Sequence, residues 1–520
     1  NYYSFKITNN GKVSSSYTIY LDDQPLDEGD VRIDQKYVHY SLERNDSNNV
    51  AKSLTGNQKL ESGIINSGQT INYKLRLWFS NDMTAEEENK VFKAKLRIEA
   101  SQNINTMASS LKLSSKEKQT ITKIVFQDKI NDIENTTKNY DLSANDNNSV
   151  IGKVVSNSDS TNTLYIQSNG EIFANSNSSY LFNYFTELKT IENLNLLNTS
   201  QVTDMSQMFS NCRKLTSLDL SNFDTSNVTD MFGMFSMWDS TIDTASTGSL
   251  TSLDLSNFDT SNVTDMRNMF AFNTSLNTVN IDSFDTSNVT NMYHMFIYCT
   301  SLKNIELNSF DTSNVTNMAA MFYNCKSLIM LNLNSFNTLK VTDMGSMFEN
   351  CKKLSNLNLD NFNTSNVVSM SSMFSNCKSL ISLNLSSFNT SNVTNMTGMF
   401  TMWNDDDNLS STGSLEKLDL SNFDTSKVVS MSSMFAFNTN LVELDIGSFN
   451  TINTTNMYHM FNRCDSLLKL NLKSATFDNV SNYEAMFYNI PSGVNIVTKD
   501  TTTKSWLEDR LNGKGTVTIR

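Results

Sequence analysis

"LDLSNFDTSNVTDM" occupies Leu218–Met231 and recurs letter for letter at Leu253–Met266. Working outward from the Met-Phe pair that follows it, equivalent phenylalanines stand at Phe209, Phe235, Phe270, Phe296, Phe322, Phe348, Phe374, Phe400, Phe435, Phe461 and Phe487. The interval is 26 residues eight times and 35 twice, so the stretch belongs to an array of eleven coils with two nine-residue insertions. Both insertions follow a Met-Trp pair, in "MWDSTIDTASTGSL" from Met237 and "MWNDDDNLSSTGSL" from Met402, 165 residues apart. The same offset carries His294 onto His459 and Phe272 onto Phe437, so a block of coils was duplicated as a whole.

Within a coil the apolar positions are fixed, as in Leu302, Ile305, Leu307, Phe310, Val315, Met318, Met321, Phe322 and Cys325. Ile305 and Leu307 flank one polar residue, the period of a strand with one buried face. From Val315 the spacing becomes that of an apolar stripe on a two-turn helix. The preceding "TSN" offers N-cap oxygens, and the Asp or Asn after the Val falls in the first turn, where a carboxylate meets the helix dipole favourably. Each coil therefore reads as strand, turn, short helix, turn. A single coil buries only one side of its apolar stripe, too little to offset the ordering of its backbone, so stacking on neighbours is required.

Composition agrees with one extended repetitive domain joined to something else. The chain has 520 residues, two Pro, 31 Phe and 26 Met, far too much apolar surface for a disordered chain. Its net charge of −14, without a basic cluster, leaves nothing to neutralise phosphates, so nucleic acid is set aside as a partner. No apolar run approaches the ~20 residues of a membrane-spanning helix. The chain starts at Asn1 without an initiator Met or leader, so processing or truncation is expected there. The final "GKGTVTIR" carries no wall-sorting or lipid signal, so any anchor is expected outside these residues.

The string "LxLSxFxTSNVTxMxxMFxxC", met eleven times in register, resembles the BspA-like leucine-rich repeats of bacterial surface proteins. The resemblance covers residues 123–520. The segment "ITKIVF…VIGKVV…LYIQSNGEIFANSNSSYLF" is similar to the one that precedes the repeats in that family, with Leu181-Phe182 as a degenerate first coil. The resemblance implies a right-handed solenoid outside the cell, with roles in adhesion to host proteins or other bacteria. Before it, "YYSFKITN", "SYTIYLDD", "KYVHYSLE", "INYKLRLWF" and "KVFKAKLRIEA" alternate and are split by "NNGK" and "NSGQ" turns, an antiparallel β-sandwich. This part resembles the camelysin and TasA-like fibre-forming proteins of Gram-positive bacteria. The expected order is a β-sandwich at 1–101, a connector at 102–120, an N-terminal cap at 121–194, an α/β leucine-rich-repeat solenoid at 195–490 and a C-terminal cap at 491–520.

Catalytic chemistry finds little support. Cys212, Cys299, Cys325, Cys351, Cys377 and Cys464 all stand three residues after the repeat Phe, as a buried packing column would require. A bridge between stacked neighbours among the middle four stays geometrically open. His39, His294 and His459 form no metal-ligand cluster, and the latter two fall on the exposed side of the expected helix. "NDDDN", Asn404–Asn408, lacks the Gly and distal Glu of an EF-hand and reads as a solvated insertion. No His-Asp pair activates the many Ser and Thr, no phosphate loop appears, and no cofactor is implied. The recurrent Asn-x-Thr triplets read as cap and turn chemistry.

The polar residue between the two core positions of each strand forms the candidate binding surface. It runs Asp219, Asp254, Asn280, Glu306, Asn332, Asn358, Asn384, Asp419, Asp445, Asn471, and it would suit a basic or carbohydrate-like partner. The insertions around Trp238 and Trp403 are the other candidate. A non-enzymatic extracellular adhesin is expected, its partner a host matrix protein or bacterial surface component. The alternative is a filament or matrix subunit that self-assembles through residues 1–101 by strand exchange, with "NYYSFKI" donated to a neighbouring sheet.

Overall fold

The computed structural model describes residues 2–10, 15–45, 52–54, 58–65, 68–87, 89–102, 105–238, 247–402, 415–416 and 418–520. The chain divides into two compact units, Asn1–Thr106 and Met107–Arg520. Among the described residues strand accounts for 26% and helix for 5%, so they are mostly β.

Among its described residues the first unit has seven strands: β1 (Tyr2–Thr8), β2 (Ser15–Asp23), β3 (Val38–Arg44), β4 (Lys52–Ser53), β5 (Gln58–Ile65), β6 (Thr70–Phe79) and β7 (Ala94–Gln102). They form two antiparallel sheets, in the orders β1-β6-β3-β4 and β5-β2-β7. Alternate residues of both sheets meet in one core, Tyr17, Ile19 and Leu21 from β2 against Val38, Tyr40 and Leu42 from β3 and Ile71, Tyr73 and Leu75 from β6. Two polar groups are carried inside: the Tyr17 and Tyr73 hydroxyls meet at 2.5 Å, and Tyr73 donates to Glu61 Oε1 at 2.7 Å. β5 lies in a stretch the sequence reading passed over, because Lys59, Glu61 and Ser62 hide its alternation.

The second unit opens with residues 107–120, expected in a connector but integrated here: Met107 and Leu111 are buried in its core. A five-stranded mixed sheet follows, built from β8 (Ile121–Gln127), β9 (Thr136–Asp141), β10 (Val150–Ser156), β11 (Asn162–Ser168) and, at its edge beside β8, Thr190–Glu192. From there each repeat lies on the next. A line of parallel bridges runs without a gap from Asn177 through Asp204, Asp230, Asp265 and Asn317 to Asn482, passing both insertions. The repeat phenylalanines from Phe182 to Phe487 stack with centroids 5.1–6.0 Å apart. The Ile305-Glu306-Leu307 side of the coil gives short parallel strand pairs, such as Ser252–Asp254 beside Thr278–Asn280.

The expected two-turn helix is absent from the described repeats, which corrects the α/β assignment. In the central coil the N–H groups of Met318, Ala320, Phe322 and Asn324 donate to the carbonyls of Asp343, Gly345, Met347 and Glu349 in the next coil, at 2.8–3.1 Å. The amides between them close tight turns within the coil, Met321 to Met318, Tyr323 to Ala320 and Cys325 to Phe322. Ala320 (φ 52°) and Asn324 (φ 60°) are left-handed, which no α-helix tolerates, and Gly233 and Gly398 take the Ala320 place at no steric cost. Val315, Met318, Met321, Phe322 and Cys325 are still all buried. The reason is supply of partners: a helix would satisfy its N–H groups internally, whereas a stacked neighbour offers a row of carbonyls that need donors.

After the last repeat, Asn495–Thr498 and Thr516–Ile519 extend a parallel sheet begun by Glu443–Asp445 and Lys469–Asn471. Between them runs a helix, Thr501–Leu511, capped by Asp500, which accepts from the Thr503 N–H at 2.8 Å. Trp506 of this helix stacks on Phe477 at 4.1 Å, closing the apolar end.

Candidate interaction surfaces

The polar column on the strand side is solvent-exposed from Asp219 to Asp445, with Asn471 half-buried. Its residue types follow from a local task. Asp219 accepts from the Ser221 N–H at 3.0 Å, Asp254 from Ser256 at 3.1 Å, Asn280 from Asp282 at 3.3 Å and Asn332 from Asn334 at 3.1 Å. Asn358, Asn384, Asp419, Asp445 and Asn471 each do the same two residues on. Glu306, one carbon longer, accepts from the Asn308 side chain instead, at 3.1 Å. The hydroxyl and N–H of the serine that follows hold Asp219 and Asp254 below the usual carboxylate range, and the N–H and hydroxyl of Ser421 do so for Asp419. Side-chain bonds also cross between coils, Asn332 Nδ2 to Asn308 Oδ1 at 2.8 Å and Asn471 Nδ2 to Asp445 Oδ1 at 2.8 Å. The column is a set of turn caps that leaves carboxylate and amide edges facing water.

The "TSN" residues also prove to be inter-coil fasteners and not helix caps. Buried Thr312 donates its hydroxyl to the Asn337 carbonyl at 2.9 Å and accepts from the Asn337 N–H at 2.8 Å. Asn314 Nδ2 donates to the Ser287 carbonyl of the preceding coil at 2.6 Å. The Asp or Asn after the Val, expected near a helix dipole, bridges coils and caps a turn, as Asn317 does by accepting from the Ala319 N–H at 2.9 Å.

All six cysteines are free and buried. Each thiol points at the carbonyl of the preceding coil's phenylalanine, Cys325 to Phe296 at 3.2 Å for example. Asn273 and Asn438, in the same place after the insertions, donate to Phe235 and Phe400 at 2.7 Å. Burial pushes the Cys212, Cys299 and Cys464 thiols up to about 12 and the other three higher, so none supplies a thiolate nucleophile near neutral pH. His294 is half-buried against Tyr293, ring centroids 3.6 Å apart, and desolvation brings it down to about 4. It is not on an exposed helix face. Among the described residues no three His, Cys, Asp or Glu gather in a metal-binding group. Trp238 is 48% exposed. Trp403 and the Asn404–Asn408 acidic stretch lie outside the described residues.

The sequence reading missed a groove on the turn side, about 380 Å³ in volume, that crosses coils from Tyr298 to Ser433. Two residues after the repeat Phe, Asn324, Asn350 and Asn376 follow one another along it, with Asn376 Nδ2 donating to Asn350 Oδ1 at 3.0 Å. At one end Tyr298 stacks on Phe272 at 4.5 Å and leans against Tyr323 at 5.4 Å. Two residues before the Phe these coils carry Ala320, Ser346, Ser372, Gly398 and Ser433, small like Gly233 and Ala485 elsewhere, whereas Gln207, Asn268, His294 and His459 are larger.

A protein family described as "Mycoplasma protein of unknown function, DUF285" matches residues 176–241, 242–330, 328–411 and 409–499, more than half of the chain. Among solved structures, one titled "The Crystal structure of Pneumococcal vaccine antigen PcpA" is 14% identical, over 72% of this chain and 97% of that one. Its TM-score of 0.20 is too low to bear on the fold. No curated protein matches.

Proposed function

The chain belongs to the DUF285 repeat family, and from that premise we propose that it is a non-enzymatic extracellular surface protein that mediates adhesion through a right-handed solenoid of stacked coils. In this reading residues 121–194 and 491–520 cap the stack. The observation that carries it is the exposed strand-side column, in which the same carboxylate or amide edge is offered coil after coil at ~4.8 Å. A ligand held there is extended or multivalent, weak at each contact and retained by many. The partner is a host matrix protein or bacterial surface component with basic groups. Among the described residues no helix is long and apolar enough to cross a membrane.

The test changes Asp219, Asp254, Asp419 and Asp445 together to Asn. Asn332 and Asn384 already cap the same turn with an amide oxygen, so the exchange removes charge and keeps the fold. Attachment of the purified chain to matrix proteins and bacterial cells is measured at two ionic strengths. Weaker attachment with a flatter salt dependence supports the column. Unchanged attachment and salt dependence move the site to the insertions around Trp238 and Trp403.

A second reading, a filament or matrix subunit, is favoured by β1. Among the described residues this strand ends its sheet and pairs with β6 alone, from Tyr2 opposite Arg76 to Thr8 opposite Thr70, with Tyr2 and Tyr3 largely exposed. The same bonds made to a neighbouring chain's β6 would polymerise the protein. Fibres in electron micrographs that vanish when residues 1–7 are deleted would install this reading.

A further inference from the structure

We propose that the turn-side groove bounded by Tyr298 and Tyr323 binds a short oligosaccharide. The inference rests on the groove itself and not on the strand-side column, so either can fail without the other. Three features select a sugar. Its lining is made of neutral donors and acceptors, Asn350, Asn376, Ser372 and Thr397 among them, with Lys326 and Glu349 as the charged residues. Neutral amides and hydroxyls match the dense, uncharged hydroxyl pattern of a pyranose, where an anion or a basic peptide would call for charge of one sign. The tyrosine pair adds an aromatic wall of the kind that takes the apolar face of a sugar ring while its hydroxyls remain hydrogen-bonded.

Asn376 supplies the independent observation. It is 6% exposed, its amide nitrogen is engaged by Asn350, and its Oδ1 has no hydrogen-bond partner within the protein. A buried acceptor left unmatched in the lining of a polar groove is a place where a ligand hydroxyl is worth more than elsewhere. The dimensions agree. The volume falls in the ~300–1,000 Å³ range of small-molecule sites, and successive coils advance by ~4.8 Å, close to the repeat of one ring in a pyranose chain. Ser372, Gly398 and Ser433, small residues two places before the repeat Phe, line the trough.

The experiment uses the full chain. An array of neutral and sialylated oligosaccharides identifies binders, which are then titrated by calorimetry against the native protein, Tyr298→Ala and Thr397→Trp. At least tenfold weaker binding is expected for Tyr298→Ala and none for Thr397→Trp; because Tyr298 also stacks on Phe272 and Thr397 bonds the Ser430 hydroxyl at 2.7 Å, circular dichroism first checks that both variants keep the native fold. Fluorotyrosine labelling of the native chain gives a readout that needs no variant: the Tyr298 and Tyr323 signals should shift on saturation with the bound sugar. No oligosaccharide retained at millimolar concentration would overturn the proposal. So would binding unaltered in both variants, tyrosine signals that stay in place, or extended peptides shifting those signals where sugars do not.

Discussion

The sandwich and the repeat unit bury polar groups by opposite rules. In the first unit the Tyr17, Tyr73 and Glu61 cluster is a single arrangement, assembled from β2, β5 and β6 and used once. In the second, Thr312 bonds both backbone groups of Asn337, and Thr338 does the same for Asn363 one coil on. The first kind of site is legible only in three dimensions. The second is written into the chain as a column, because each coil meets a neighbour identical to the one before. It follows that damage in the sandwich should stay in the sandwich, while damage in a coil should spread to the coils on either side.

The largest effect should come from Phe322→Asp. Phe322 is fully buried between Phe296 and Phe348, so the carboxylate would have no partner, at a cost of several kcal/mol. Amide protection should fall in the coils of Phe296, Phe322 and Phe348 and stay unchanged in β2, β3 and β6. Loss confined to one coil would break the comparison. Next come the buried hydroxyls. Thr312→Val strands the N–H and C=O of Asn337, and Tyr73→Phe strands the Tyr17 hydroxyl and leaves Glu61 to Arg44, each at ~1–3 kcal/mol by urea denaturation. The Thr312 effect should reach the Asn337 coil, and the Tyr73 effect should stop at its own sheets.

A smaller contrast concerns acid. Asp22 is lowered chiefly by Arg97, Asp34 by Lys36 and Glu87 by Lys90, all in the sandwich. Asp219, Asp254 and Asp419 are lowered by hydroxyl and backbone N–H groups of the following serine. Every one is depressed, so its stabilising contribution is present above the ordinary carboxylate value and is lost as pH falls through the folded one. Carboxylate NMR titrations at low and high salt should bring the first set back toward ordinary values and leave the second set low, since salt screens ions and not local dipoles. A common salt response would remove the distinction.

The smallest expected effect is on stability in the fourfold Asp→Asn variant of the strand column. Its melting temperature should fall only slightly, because the amide oxygen keeps each turn capped and only the preference of those N–H groups for a charged acceptor is lost. A drop of many degrees would mean that charge, and not the cap, holds those turns.

How much of this the sequence disclosed follows from the same contrast. The stacking, the phenylalanine ladder and the buried cysteine column were legible because a period of 26 repeats each environment. The helix was misread because the spacing of Val315, Met318, Met321 and Phe322 specifies which side chains turn inward but not where the N–H groups go. Left-handed residues at Ala320 and Asn324 give the same inward set. The groove was missed because it lies where the columns change, at Asn324 to Asn376, and a consensus averages such changes away. In the sandwich, β5 was missed because its half-buried Glu61 looks like a surface residue until Tyr73 is placed beside it.

The central claim is that a coil's backbone is held by its neighbour and not by itself. Hydrogen exchange in a Met347→Asp variant tests it most directly, since the carbonyl of Met347 accepts from the Phe322 N–H at 3.0 Å and the coil containing Phe322 keeps its own sequence. The account predicts that the amides of Met318, Ala320, Phe322 and Asn324 lose protection together. Full protection of those four amides, as a self-contained helix would give, would contradict it.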